Sequence, residues 1–325
     1  MAGIATSASA LEEQCRFYLT EGLSANSRRT YSSGQKRFIE FCSQLGRLSK
    51  FGSPCPADEW TLCLFATFLA SSLKYASIKV YLSAVRALHV ECGFPNPLDN
   101  CLRLQRVIRG IKRVQGVSIA ARLPVTRDIM MLIHNSLDLQ QFDHIMFWAA
   151  CTLAYFGFLR SSEFTVPRAA SFSPSVHLTP LDIAFDSRVN PSCVRVYIKA
   201  SKTDPFRRGC SLHIGRGRGK LCPVSALLEF LRVRGDVQGS LFIKKDGAPL
   251  SRTMLTDWLR SIVVSAGVVG NYSSHSFRIG AATMASRRGI PDHVIQALGR
   301  WSSNAYQLYI RTPPEVLVGF AQSLA

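Results

Sequence analysis

Two tyrosines lie close together near the end of this 325-residue chain, in the segment GRWSSNAYQLYIRTP. Tyr306 and Tyr309 are three residues apart, with Trp301 and the arginines Arg300 and Arg311 nearby. A phenol with a pKa of about 10 is a poor nucleophile at neutral pH. Its proton must leave as it attacks, and nearby cations must stabilise the product. The segment therefore has two interpretations: the packing face of a short helix, or a nucleophile beside cations that bind phosphate.

A histidine and an arginine occur three residues apart in the preceding segment, SSHSFRIGAATMASRRG. Its serines and final glycine predict a helix over 273–289, on which His275 and Arg278 project from one face. Alone, this spacing is more often a structural histidine with a surface arginine. After Pro291, DHVIQAL predicts another helix, and Ser302 or Ser303 caps the next one, which Pro313 stops.

The elements that must position these residues fall into two regions. The length predicts two globular domains. The net charge is +18, of which +8 lies up to Leu123 and +10 after it, and this excess favours a polyanionic partner. Before residue 115, apolar residues at helical spacing predict an all-helical bundle with basic faces. A linker is predicted at 116–124, where periodicity is lost. The predicted helices are Ser27–Leu45, Ala57–Leu73, Ser77–Cys92 and Leu98–Arg113.

The second region is predicted to be mainly α with a small β-sheet. Thr126 and Asp128 open a helix, and an apolar helix runs from about Phe142 to Leu159. Alternation in CVRVYIK, followed by KTDPFRRG and CSLHIG, predicts a hairpin. The basic segment GRGRGK, residues 215–220, is interpreted equally well as a phosphate contact or a solvated loop.

The ordered motifs resemble the tyrosine recombinase, or phage integrase, family. The segment HSFRIGAATMASRRGIPDHVIQALGRWSSNAYQLYIR is similar to its C-terminal signature, GFLRSSEF to its first arginine box, and SKTD to its hairpin lysine. Among its members, the chain looks most like recombinases of eukaryotic DIRS-type and Crypton-type mobile elements. The resemblance implies a helical core-binding (SAM-like) domain at 1–115, a linker at 116–124 and a catalytic domain at 125–325.

The resemblance implies a role for each matching residue. Tyr309, rather than Tyr306, is the nucleophile because it precedes Ile-Arg, and Lys202 is favoured over Lys199 as the hairpin lysine. Glu163 supports its neighbours. The remaining catalytic residues are Arg160, His275, Arg278 and Trp301. The basic helix faces predict DNA contacts through Arg28, Arg29, Lys36, Arg37, Lys79, Arg109, Lys112 and Arg113.

The implied activity is site-specific DNA strand breakage and rejoining through a 3′-phosphotyrosyl link. Because the covalent ester retains the energy of the broken bond, we expect no nucleotide cofactor, and neither a P-loop motif nor a clustered metal-ligand set occurs. Double-stranded DNA is the expected partner, bound by a homotetrameric synapse, with no membrane association. The alternatives are a catalytically silent DNA-binding descendant, a type IB topoisomerase-like enzyme and a basic RNA-binding protein.

Three features of the sequence bear on where the protein is located. The start of the chain lacks the features of a secretory signal, and the longest apolar run, Ile145–Leu159, is too short to span a bilayer. None of the ten cysteines is spaced C-x-x-C, which favours reduced thiols. We expect a soluble intracellular protein, in the nucleus if the host is eukaryotic and otherwise in the cytoplasm.

Overall fold

The computed structural model describes residues 7–116, 122–202, 204, 206–311, 318 and 322. The chain divides into two compact units, Met1–Ile119 and Ala120–Ala325. Five residues of the predicted linker, 117–121, lie outside the described residues, as does Pro313. The helices of the first unit are α1 (Ala8–Glu21), α2 (Ala25–Gln44), α3 (Glu59–Ala70), α4 (Tyr75–Glu91) and α5 (Leu102–Gln115).

The first unit is a helical bundle whose core lies between α2, α3 and α4. Phe38, Leu62, Phe65 and Ile78 are fully buried there. A Cβ added to Gly34 would lie 2.7 Å from the Cβ of Ala84, so the glycine permits the close approach of α2 and α4. The four predicted helices are present with shifted ends, but α1 was missed because none of its side chains is buried.

The second unit is built around one apolar helix. It contains α6 (Arg127–Asn135), α7 (Phe142–Phe156), α8 (Ser161–Phe164), β1 (Ile183–Phe185), β2 (Cys193–Ile198), β3 (Cys210–Gly215), α9 (Pro223–Arg234), α10 (Arg252–Ser265), α11 (Ser276–Arg287) and α12 (Asp292–Gly299). A 3₁₀ helix, Asn304–Tyr309, follows α12. Helix α7 is buried along almost its whole length and packs against α9 and α11.

The sheet is antiparallel in the order β1-β2-β3. Val194, Val196 and Ile198 of β2 are buried while Arg195 and Tyr197 point outward, as the alternation predicts. Strand β1 was missed because three residues are too few to show a period. The predicted class, mainly α with a small β-sheet, is confirmed.

One prediction about local structure near the C-terminus needs correction. His275, not a serine, stands at the N-cap of α11, and no side chain caps that helix; Ser273 instead accepts a hydrogen bond from the His275 N–H at 3.3 Å. The predicted cap of the element after Trp301 is confirmed as Ser303, and that element is a 3₁₀ helix. Among the described residues, no helix is long and apolar enough to cross a membrane.

Candidate active site

The first charged cluster forms where α7 ends. Gly157 closes the helix, and Phe158 adopts a left-handed conformation with φ of 49°, which turns the chain so that Arg160 opens α8. Glu163, whose side chain is fully buried, accepts from the Arg160 backbone N–H at 2.9 Å and from its Nη1 at 3.0 Å. The carboxylate therefore holds the Arg160 guanidinium in one orientation.

Glu163 also binds residues from two other segments. Ser201 Oγ donates to Glu163 Oε1 at 3.0 Å and accepts from Arg160 Nη1 at 2.9 Å. Arg300 Nη2 forms an ion pair with Glu163 Oε2 at 2.7 Å. Sequence reasoning did not single out Ser201 or assign a role to Arg300. Their one signal was adjacency to predicted site residues, in SKTD and GRW.

Arg278 lies at the centre of the site, with no exposed surface. Its Nη1 donates to the Phe158 carbonyl and its Nη2 to the Gly299 carbonyl, so it joins the ends of α7 and α12. The guanidinium carbon lies 4.0 Å from the Trp301 ring centroid and 5.5 Å from that of Tyr309. Burial, together with Arg160, lowers the pKa of Arg278 from its ordinary value. A phosphate anion bound beside it would reverse this shift.

His275 is partly buried at the start of α11, one turn before Arg278. Burial lowers its pKa to about 4, and the charges of Arg122, Arg252, Arg278 and Arg160 act in the same direction. At neutral pH the imidazole is therefore uncharged. A neutral imidazole can accept a proton, and an anionic phosphate bound by the same arginines would raise this pKa towards the range that suits a general base.

The two tyrosines have different environments. Tyr306 is buried, and its hydroxyl donates to Asp292 Oδ2 at 2.9 Å, which raises its pKa. Tyr309 is partly exposed, and its ring centroid lies 5.2 Å from that of Trp301. The backbone beside it is held by Thr283 Oγ1, which donates to the Tyr309 carbonyl at 3.2 Å and accepts from the Arg311 N–H at 3.0 Å. Tyr306 thus serves packing, while Tyr309 lies beside Arg278.

The two candidate lysines also differ. Lys199 forms an ion pair with Asp182 at 2.6 Å and donates to the Pro174 carbonyl at 2.7 Å. Lys202 is exposed in the connection between β2 and β3, next to Ser201. The structure thus brings Arg160, Glu163, His275, Arg278, Trp301 and Tyr309 together, with Lys202 on an adjoining turn.

The predicted DNA-contacting cations belong to the first unit and are not all equally available. Arg28 is held by the carbonyls of Thr20 and Leu23, each at 2.8 Å, and by an ion pair with Glu21 at 3.0 Å. Arg37 donates to Ser72 Oγ at 3.1 Å. The exposed members of the set are Arg29, Lys36, Lys79, Arg109, Lys112 and Arg113.

Lys79 and Lys112 form one small cluster. Their Nζ atoms lie 5.9 Å and 5.5 Å from the Tyr75 ring centroid. Lys36 lies 4.0 Å from Glu40, an exposed pair that leaves the lysine mostly solvated. Within the ranges that the structure describes, no group of three or more His, Cys, Asp or Glu side chains could hold a metal ion.

Comparisons with known proteins agree with this architecture. Residues 189–312, which contain Lys202, His275, Arg278, Trp301 and Tyr309, match the phage integrase family. No curated protein sequence matches the chain.

Three solved structures share the fold at low sequence identity. XerH site-specific recombinase bound to palindromic difH substrate, in a post-cleavage complex, is 16% identical, with 98% of this chain and 85% of that chain covered and a TM-score of 0.64. A lambda integrase dimer bound to a COC' core site is 16% identical, with coverage of 94% and 95% and a TM-score of 0.61. Tn1549 transposon integrase with circular intermediate DNA is 14% identical, with coverage of 92% and 94% and a TM-score of 0.57. The chain therefore has the fold of the tyrosine recombinases, and its residues 189–312 match the phage integrase family.

Proposed function

We propose that this protein is a site-specific DNA recombinase that cuts and rejoins strands through a phosphotyrosyl intermediate. The observation that carries the proposal is the position of Tyr309 beside a buried arginine, with a neutral histidine one turn away from that arginine. A fully buried Arg278 and a mostly buried Arg160 near a partly exposed phenol suit attack on a phosphodiester, because burial strengthens the attraction for negative charge.

Each side chain has a distinct task in this reaction. The Tyr309 oxygen attacks the phosphorus, and its proton passes to His275. The bond from phosphorus to the 5′ oxygen breaks, and Lys202 gives the departing oxygen a proton. The result is a 3′-phosphotyrosyl link and a free 5′-hydroxyl. A hydroxyl from a partner strand then attacks the link and restores the phosphodiester.

The arginines stabilise the charge that builds up on the non-bridging oxygens. Each guanidinium presents a planar fork of donors that lysine cannot copy. Because Glu163 and the backbone carbonyls fix Arg160 and Arg278 in advance, little reorganisation is needed when the transition state forms. By analogy with other oxyanion sites, loss of either arginine should slow cleavage by about 10²–10³-fold.

Duplex DNA is the proposed partner, and more than one copy of the chain acts on it. The high positive charge of both halves supports binding to a polyanion. The structures with this fold include a recombinase bound to its substrate and an integrase dimer bound to a core site. A tetrameric synapse belongs to the same proposal.

The proposal extends to the origin of the protein. Three features support kinship with recombinases of eukaryotic mobile elements: the tryptophan at position 301, the KTDPF turn and the segment LYIRTP. A transposon integrase is among the proteins with this fold. Action in the nucleus would follow from such an origin.

A library of nicked substrates tests the activity and selects the target site in the same experiment. The full chain is incubated with duplexes that are each nicked beside a randomised segment, so that the short cleaved fragment diffuses away and the covalent adduct persists. We expect a trapped adduct with wild type, its loss in Tyr309→Phe and its retention in Tyr306→Phe. Mass spectrometry should locate the nucleotide on Tyr309.

The remaining outcomes separate the other functions. DNA binding without any adduct would contradict cleavage and identify a catalytically silent DNA-binding protein. An adduct together with relaxation of supercoiled plasmid, but no strand exchange between two copies of the selected duplex, would identify a topoisomerase.

A further inference from the structure

Arg300 occupies an unusual position between α12 and Trp301. Its backbone is left-handed, with φ of 54°, a conformation that is strained for a non-glycine residue and persists only where the surrounding structure holds it. The surroundings do so: Nη2 bonds to Glu163 Oε2 at 2.7 Å and Nη1 to the Gly157 carbonyl at 3.2 Å. The side chain is 15% exposed, similar to the 12% of Arg160. Arg300 and Arg160 therefore contact the same carboxylate.

Two donors in this cluster have no acceptor. Among the described residues, the Nε atoms of Arg278 and Arg300 are buried without a hydrogen-bond partner. Buried guanidinium N–H groups are almost always paired, because an unpaired one has lost its water without compensation. Two such donors within one charged cluster show that the acceptors of the protein do not fully compensate its positive charge. The Arg160 and Arg300 side chains are still partly exposed, and a phosphodiester offers them two non-bridging oxygens.

The charges of the cluster agree with an anionic ligand. Arg160, Arg278 and Arg300 lie near one another, and each is close to Glu163. Three positive groups around one carboxylate leave a positive excess. A phosphorane transition state carries more negative charge than the bound diester, so a third guanidinium would gain most from stabilising it.

Trp301, by contrast, is placed as a support for Arg278. Its ring is 8% exposed, stacks 4.0 Å from the Arg278 guanidinium carbon and meets Phe158 edge-on at 6.4 Å. A Cβ at Gly299 would lie 1.6 Å from the ring, so the tryptophan fills the space above the end of α12. These contacts fix Arg278 through packing and cation–π attraction.

We propose that Arg300 is a third phosphate-binding arginine, which donates from its guanidinium to a non-bridging oxygen of the scissile phosphodiester, while Trp301 acts as a positioning residue packed against Arg278. This inference rests on the proposed recombinase activity. It assigns the phosphate contact to Arg300 and a supporting role to Trp301, which the family resemblance places among the catalytic residues. Lysine cannot replace Arg300, because a single ammonium cannot bond Glu163, the Gly157 carbonyl and a phosphate oxygen in one plane.

Single-turnover cleavage of the selected nicked duplex tests the assignment. The variants are Arg300→Gln and Arg300→Lys, with Arg232→Gln as the control, since Arg232 is a surface residue paired with Glu229. We expect Arg300→Gln to slow adduct formation about 100-fold or more, and the rate of Arg300→Lys to lie between those of Arg300→Gln and wild type. The DNA affinity of both variants should differ from wild type by less than about threefold. The control should match wild type.

A second substrate separates direct contact from positioning. A methylphosphonate at the scissile position replaces one non-bridging oxygen with a methyl group and removes the negative charge. If Arg300 contacts that oxygen, the ratio of wild-type to Arg300→Gln rates shrinks at least about tenfold for one methylphosphonate diastereomer. The same ratio on both substrates would mean that Arg300 acts only by holding Glu163, and would overturn the assignment.

The outcomes remain distinguishable from failure of the proposed function. No adduct with wild type overturns the recombinase proposal itself. A wild-type adduct with unchanged Arg300→Gln rates overturns the role of Arg300 alone. If the melting temperature of Arg300→Gln is well below that of wild type, Arg300→Lys is used to test the contact instead, because it keeps the positive charge beside Glu163. An Arg300→Lys defect that one methylphosphonate diastereomer suppresses supports the contact, and a defect that neither suppresses refutes it.

Discussion

At the scale of single residues, the site depends on charges that are kept from water before any substrate arrives. Arg278 is fully enclosed, yet its ionised form is stabilised by two carbonyls and two aromatic faces. The site therefore contains a buried positive charge, with its desolvation cost, before the substrate binds. Binding of an anion then relieves part of the desolvation cost, which couples recognition of the phosphate to the stability of the catalytic unit.

His275 leads to a prediction about pH and stability. Its pKa is about 4 in the folded protein and about 6.5 in the unfolded chain, so between these values the unfolded chain binds more protons. The stabilising contribution of the neutral imidazole is complete above about pH 6.5 and is lost as the pH falls towards 4. We expect the melting temperature of wild type to fall more between pH 7.5 and pH 5 than that of His275→Gln.

Differential scanning fluorimetry of both proteins across this range makes the comparison. Carboxylates titrate equally in the two proteins, so the difference between their pH profiles isolates the histidine. Parallel profiles would mean that the imidazole is solvated and ionises normally.

The sequence could identify some site residues and not others for a physical reason. His275 and Arg278 share one helix, and Tyr309 lies in a contiguous segment, so their spacing carries information. Arg300 acquires its role only when the end of α12 meets the start of α8, a contact separated by 137 residues along the chain. Local spacing does not encode such a convergence.

At the scale of elements, α11 is fixed against the start of the second unit through a glycine. Val125 N–H donates to the Ser276 carbonyl at 2.9 Å, and a Cβ at Gly280 would lie 1.8 Å from the Val125 carbonyl oxygen. Helix α11 thus approaches this backbone segment more closely than any other residue at 280 allows. This close approach fixes the position of α11, and with it the positions of His275 and Arg278 in the site.

Substitution at Gly280 tests this contact. We expect Gly280→Ala to lower the free energy of unfolding by at least about 2 kcal/mol, because the opposing atom is backbone and cannot rotate away. Gly110→Ala is the matched control, since nothing lies within 4 Å of a Cβ at this position in α5. It should raise stability by about 0.5–1 kcal/mol through helix propensity. Equal effects in urea unfolding would show that α11 can move away.

Element prediction succeeded where burial left a pattern in the sequence. Strand β2 was recognisable because buried and exposed side chains alternate along it, and helix α7 because its continuous burial requires one long apolar run. Helix α1 buries no side chain, so it shows no apolar stripe, and its local signals are the cap Ser7 and its helix-forming residues. The six residues of the element after Trp301 indicated a helix but not its 3₁₀ type, nor the bond that its last residue receives from Thr283 of α11.

At the scale of the whole molecule, positive charge is shared by both halves of the chain rather than concentrated in one tail. We expect DNA affinity to fall steeply with salt, with a slope of log K against log salt of about −0.9 for each phosphate contact. The exposed pair Lys79 and Lys112 should supply two of these contacts. The double variant Lys79→Gln/Lys112→Gln should therefore flatten the slope by roughly two.

Fluorescence anisotropy at several salt concentrations measures the slope. The control is Arg232→Gln, which also replaces a surface cation with glutamine. An unchanged slope in the double variant would exclude this cluster from the DNA-binding surface. It would leave Arg29, Arg109 and Arg113 as the next residues of the first unit to replace.

The hydroxyl of Thr283 has a consequence for how copies of the protein cooperate. By bonding to the backbone on both sides of Ile310, it holds the Tyr309 segment against α11 of the same polypeptide. We therefore expect each subunit to cut with its own tyrosine and its own arginines. Two inactive chains, one lacking the phenol and one lacking Arg160, should stay inactive when mixed.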